Sequence, residues 1–305
     1  MKVIDLHTDT LTRKAPDEFN INSNEFMISF KKMKEGNYSA VALAVFLDLG
    51  LHKGEMFSLT DRYFDAVDKL LSERKNDFTL FGSSDDSKIQ IIRTIEEGEA
   101  FEGDIEKLVH FYKRGLRMTT LTWNYPNSLA FPNDVKNNVP DLINGITEKG
   151  KEFLMFMNDN NILLDVSHLG DKCFYDAIKY YHLPIVASHS NARSVRNVAR
   201  NLSDDMIRII ANSGGVIGIN LCDYFIRGEK EDYLLNVVRH IEHIRKVGGL
   251  NVLALGSDFD GISEPPVLTD CSKWNILFDK LKEFGWKESE IEQLAYKNAY
   301  RVLKN

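Results

Sequence analysis

Eight short, apolar, strand-like runs alternate with helical stretches along this chain, and that alternation restricts the fold more than any other feature. The runs fall at residues 3–7, 40–46, 89–95, 118–122, 162–167, 185–188, 216–220 and 252–256. Apolar residues at helical spacing mark 61–74, 104–113, 146–158, 171–180, 204–212 and 233–247 between them; Ile146, Phe153 and Met157 show the period. Parallel strands need a crossover to return the chain, so strand and helix in alternation imply a parallel sheet. Eight repeats imply a closed (β/α)8 barrel of TIM type rather than an open sheet. A length of 305 residues suits one such barrel, which typically needs ~250 residues plus insertions. We therefore expect residues 1–305 to form a single α/β domain.

The punctuation agrees with this division. Asn212-Ser213-Gly214-Gly215 ends one helical stretch and opens the seventh strand, and Gly248-Gly249 does the same before the eighth. Ser203 and Asp204 stand where a helix start needs a cap. Two long loops remain, 125–141 and 257–273, and two helices should close the chain. Long loops in a compact barrel are usually functional.

In such a barrel the active site sits at the C-terminal ends of the strands. Chemically capable residues collect there. Asp5-Leu6-His7-Thr8-Asp9 ends the first strand, and alternation should send Asp5, His7 and Asp9 to one face. An imidazole and a carboxylate two residues apart can share one metal ion, and zinc takes both at similar distances. His168 follows the fifth strand and His189 the sixth. Glu96 follows the third, while Asp258 and Asp260 follow the eighth. One carboxylate bridging two ions and another handling protons are what a two-metal hydrolase needs. Glu97 and Glu99 read as a solvated acidic turn. His240 and His243, mid-helix at i, i+3, read as packing or surface residues.

Composition narrows the partners. The net charge is −7 and no basic stripe exists, which argues against nucleic acid and against an anionic membrane surface. Cys173, Cys222 and Cys271 form no CxxC pair and no disulfide framework. They read as small core residues in a reducing compartment. With no signal-like N-terminal run and no stretch of ~20 apolar residues, we expect a cytoplasmic protein with no membrane partner.

The ordered set His7-Thr8-Asp9, Ile95-Glu96, Val166-Ser167-His168, Ala187-Ser188-His189, Arg200-Asn201-Leu202-Ser203-Asp204-Asp205 and Ser257-Asp258-Phe259-Asp260-Gly261 resembles the membrane (renal-type) dipeptidases. These are zinc peptidases of the amidohydrolase-like barrel group. The likeness runs from about Asp5 to the end of the chain, and Leu121-Thr122-Trp123-Asn124 is similar to bacterial members. The resemblance implies two Zn2+ per chain and hydrolysis of dipeptides through a metal-bridging hydroxide. It implies that His7 and Asp9 hold one zinc, His168 and His189 the other, and Glu96 both. It makes Asp258 the acid/base and Arg200 the ligand of the substrate carboxylate. A homodimer is a further family expectation.

The chain departs from the family pattern in two places. The histidine usual after strand four is absent from Trp123-Asn124-Tyr125-Pro126, where Tyr125 is the available hydrogen-bond donor. The usual Glu-Gly-Gly is Glu96-Glu97-Gly98 here. A substrate-binding tyrosine after strand seven aligns with Tyr224, with Phe225 competing for the position. Two alternatives stand beside the dipeptidase: a related amidohydrolase acting on N-acyl amino acids or lactams, and a metal-binding barrel with little turnover.

Overall fold

The structure, a computed structural model, describes residues 1–228 and 232–304. The first half contributes β1 (Val3–Thr8), α1 (Phe30–Glu35), β2 (Tyr38–Phe46), α2 (Met56–Glu73), β3 (Phe78–Leu80), β4 (Ile89–Glu96), α3 (Ile105–Lys113) and β5 (Leu116–Thr120). The second contributes α4 (Glu148–Asp159), β6 (Leu163–Asp165), α5 (Asp171–Ala177), β7 (Val186–Ala187), α6 (Asp204–Asn212), β8 (Val216–Ile219), α7 (Asp223–Ile226), α8 (Tyr233–Gly248) and β9 (Leu253–Leu255). The chain finishes with α9 (Trp274–Glu283), α10 (Glu288–Glu292), a π-helical turn (Gln293–Lys297) and α11 (Asn298–Lys304).

Strands run in the order β2-β1-β9-β8-β7-β6-β5-β4, and β2 pairs again with β4 to close the ring. The pairings are parallel. This is the expected eight-stranded barrel. The ninth strand, β3, was not expected; it pairs with the first residues of β4, Phe78 opposite Ile89 and Leu80 opposite Ile91. Each of the eight expected runs holds a barrel strand, with ends displaced by one or two residues. The sixth run shrinks to Val186–Ala187, because Ser188 turns its backbone and side chain toward Asp165.

Alternation along the strands sorts side chains into two apolar layers. Ile4, Leu6, Ala42, Ile92, Met118, Leu163, Val186, Val216 and Ala254 fill the barrel interior. Val41, Leu43, Ile91, Ile95, Leu164, Ile217 and Leu255 join the layer under the helices. Ala299, Val302 and Leu303 of α11 pack with the interior set. The last helix therefore closes the end where the strands begin and leaves the C-terminal rim open.

Caps set the helix starts. Ser203 accepts from Met206 N at 3.2 Å to begin α6, as expected, and Thr147 accepts from Gly150 N at 3.0 Å to begin α4. The expectation for Asp5 is corrected. β1 has a register irregularity between Asp5 and Thr8, which breaks the alternation. Asp5 accepts from Tyr38 Oη at 3.0 Å and from Ser257 N at 2.9 Å, away from the rim that His7 joins.

Candidate metal centre

Glu96 is the last residue of β4 and shares the inward parity of Ile92. His7 lies in β1 and Asp9 just beyond it; His168, His189 and Asp258 lie two or three residues past the ends of β6, β7 and β9. Strands far apart in sequence thus deliver six ligand-type side chains to one rim. His7, Asp9, Glu96, His189 and Asp258 are buried, and the His168 side chain is 8% exposed.

The two oxygens of Glu96 face different partners. Oε2 is 3.2 Å from His7 Nε2, while Oε1 is 2.8 Å from His168 Nε2 and 3.2 Å from His189 Nε2. His7 Nε2 is also 3.5 Å from Asp9 Oδ2. The rings of His7 and His189 stack with centroids 3.7 Å apart. Two groups have ligand atoms mutually close enough for one ion: His7, Glu96 and His189, and His7, Asp9 and Asp258.

The second hydrogen bond of each histidine selects its tautomer. Asp165 is buried and accepts from Ser167 N, Ser167 Oγ, Ser188 N and Ser188 Oγ. The single Ser188 hydroxyl proton therefore goes to Asp165, and Ser188 Oγ accepts from His189 Nδ1 at 2.7 Å. His189 Nε2 is left as a lone pair aimed at Glu96. His168 Nδ1 donates to Asn124 Oδ1 at 3.1 Å, which frees its Nε2 in the same way. Asn220 Nδ2 donates to Asp258 Oδ2 at 2.8 Å and fixes that carboxylate.

The cluster is electrostatically loaded. Burial pushes the Asp258 carboxyl well above the usual range, and neighbouring Asp9 adds to the rise. Burial likewise raises Glu96, against the pull of His7. Burial opposes charge on His7, yet Glu96 and Asp9 outweigh it and hold its pKa well above the ordinary histidine value. His168 and His189 are pushed well down, first by burial and then by the cations Arg200 and His7.

Arg200 is buried and turned toward this cluster. Its Nη1 donates to Ser190 Oγ at 3.0 Å and its Nη2 to His189 O at 3.1 Å, both neutral oxygens, and its Nε has no partner among the described residues. The neighbouring Arg193 is different: it holds Asp171 with two bonds of 2.7 and 2.8 Å. Tyr125 is 40% exposed and its ring lies tilted against Trp123, while Asn124 is the residue after β5 that hydrogen-bonds into the cluster. Tyr224 is half-exposed beside Arg196, and Phe225 is the ring next to the Arg200 guanidinium, at 5.7 Å.

Two sequence expectations about acids are corrected. Glu97 is not a solvated turn residue. It is buried at φ 136°, and its carboxylate accepts from Glu99 N, Trp123 N and Asn127 Nδ2. Burial lifts it to about 7. It thereby anchors the turn that brings Asn124 to His168. Asp260 does not join the rim acids; it accepts from Thr10 Oγ1, Met27 N and Ile28 N and ties two loops together. Asn220 and Asp165 were not singled out from sequence; Asn124 and Ser188 stood inside quoted motifs, Leu121-Thr122-Trp123-Asn124 and Ala187-Ser188-His189, without a role of their own.

The donor set fits a metal. Among the described residues, His7 Nε2 and Asp9 Oδ1 are buried without a hydrogen-bond partner, a costly state unless something else satisfies them. Nitrogen and carboxylate oxygen are the donors zinc and similar ions take.

Known proteins resemble this chain in sequence and in fold. The chain is 34% identical over 231 residues to an uncharacterized protein in the pqqA 5′ region of Klebsiella pneumoniae, covering 72% of this chain and 83% of that one. It is 31% identical over 253 residues to an uncharacterized dipeptidase of Schizosaccharomyces pombe, covering 79% of this chain but spanning only 60% of the yeast protein. A crystal structure of a dipeptidase described as an M19 metallopeptidase superposes with a TM-score of 0.90 at 25% identity, covering 100% of this chain and 98% of the other. Residues 1–305 match one family throughout, so the rim of histidines and acids belongs to a member of the membrane dipeptidase family, peptidase family M19.

Proposed function

We propose that this chain hydrolyses dipeptides at a two-zinc centre held by His7, Asp9, Glu96, His168 and His189. The observation that supports this most is the placement of Glu96, one oxygen toward His7 and the other toward His168 and His189. A carboxylate so placed can serve two ions at once. When bound, such a pair supplies Lewis acidity, making water acidic near neutral pH and drawing charge from the scissile carbonyl.

The chain's own residues do the rest. Asp258, buried and held through one oxygen by Asn220, takes the proton of the attacking water and returns it to the leaving amine. Arg200 is a buried cation whose contacts are neutral oxygens. Asp258 and Glu96 act on it only through space; a buried cation gains most from a directly hydrogen-bonded anion, and the substrate's C-terminal carboxylate supplies one through a bidentate pair. That contact limits substrates to short peptides with a free end.

The test compares free and amidated dipeptides on the metal-loaded protein. Arg200→Ala should cut kcat/KM for free dipeptides roughly ten- to a hundredfold, the range for a hydrogen bond to a charged group. Amidated dipeptides should lose much less. An equal loss on both would remove Arg200 from carboxylate recognition. Turnover of N-acyl amino acids or lactams in place of dipeptides would favour the related amidohydrolase.

A further inference from the structure

We propose that the cleft formed by the β5–α4 loop is a side-chain pocket that selects dipeptides carrying a bulky apolar residue, a reading that rests on the dipeptidase assignment above. The cleft has a volume of about 1060 Å³ and lies under Trp123, Tyr125, Val139, Leu142 and Ile143. Pockets that hold small ligands are of this order.

The inner wall is continuous with the metal centre. Asn124 bonds His168 Nδ1, and the Trp123 ring lies 6.1 Å from the His168 ring. A peptide bond placed at His168 therefore has one of its flanking side chains at the mouth of this cleft.

The loop is also built, not loose. Glu97 fixes Trp123 N and Asn127 from below. Asn133 Oδ1 accepts from Asp141 N and Asp171 N, and its Nδ2 reaches Asp171 and Ala199. Asp134 and Val139 exchange both backbone bonds at 2.9 Å.

The pocket offers an apolar surface. Its acids are already committed within the loop: Asp134 accepts from Asn137, and Asp141 from Ile143 N and Asn144. Those bonds at Asp141 hold up a tip on which Leu142 is 69% and Ile143 84% exposed, with Val139 at 53%. Apolar groups grouped at the edge of a cleft beside a reactive centre mark a binding surface. A bulky aliphatic or aromatic side chain satisfies them, and Lys136 adds an exposed cation to the lining.

The experiment measures kcat/KM of the metal-loaded protein on Ala-Ala, Leu-Ala, Ala-Leu, Phe-Ala and Ala-Phe. At one of the two positions, Leu and Phe should exceed Ala by ~10-fold or more, the range for burying a few methylenes in an apolar pocket. In Leu142→Asp/Ile143→Asp that preference ratio should fall about tenfold. Both side chains are largely exposed, so the double variant should fold, which a melting curve checks; Val139→Asp provides an independent second reading. Absence of an apolar preference in the parent, or an unchanged ratio in both variants, would overturn the pocket while leaving the dipeptidase reading intact. Failure to cleave any of the five would overturn the dipeptidase reading and the pocket with it. An unchanged ratio accompanied by conversion of a dimer to a monomer would give this face to a second copy of the chain instead.

Discussion

A carboxylate that shuttles a proton needs one oxygen held and one available, and Asp258 meets that need through Asn220 alone. It sits at φ 65° and Asp260 at φ 70°, two left-handed residues within three positions, a local cost that clusters at functional sites. Asp258→Asn keeps the shape and removes the proton carrier. We expect metal content near that of the parent and turnover lower by ~10²–10⁴-fold; activity within a few-fold would take the role from Asp258. Gly261 tests the geometry from the other side. A Cβ there would lie 2.0 Å from Asp9 Oδ2 and 2.7 Å from Asp258 Oδ1. Gly261→Ala must displace one of these carboxylates, and a shift of about 1 Å costs ~10²-fold in rate. Metal analysis should show the loss on the Asp9 side, and unchanged activity would mean the loop yields instead. The rim cluster was legible because histidines and acids fell just past strand ends. Glu97 was not, because its donors sit at Trp123 and Asn127, which only the folded rim brings near. Asn220 was invisible for a plainer reason: amides carry no pattern of spacing, and Asn124 showed only as part of a motif, with no role attached.

Among the elements, the segment from His189 to Ser203 carries Arg200 and is pinned from behind by α8. His240 Nδ1 accepts from Ala192 N at 3.1 Å, and its Nε2 donates to Ile226 O at 3.2 Å. Both ring nitrogens are used in the neutral form. Burial lowers this histidine to about 4. Between about 6.5 and about 4 the unfolded chain binds the proton and the folded chain refuses it, so this contribution is complete above the unfolded value and is lost as pH falls. Its full size is roughly 3 kcal/mol. His240→Gln should flatten the fall in melting temperature between pH 7 and pH 4.5 relative to the parent; parallel curves would contradict the assignment. The mid-helix reading of His240 as packing was available from its helical position, but its partner loop was not. β3 escaped notice because three residues are too few to show a period. α11 read as an ordinary closing helix, and its place against Ile4 and Val216 depends on a barrel already closed.

At the scale of the whole molecule, the alternation of strand and helix carried the architecture, since parallel pairing and right-handed crossovers leave few other closures for eight repeats. What the alternation could not carry was the depth of the site: which carboxylates are buried, and which loops cover them. The account centres on Glu96 standing between two metal ions. Anomalous diffraction at the zinc edge from crystals of zinc-loaded protein tests it most directly. We predict two peaks per chain, one beside His7 and Asp9 and one beside His168 and His189, with the Glu96 carboxylate between them. A single peak, or a Glu96 side chain turned away from the metal in a fully loaded crystal, would contradict it.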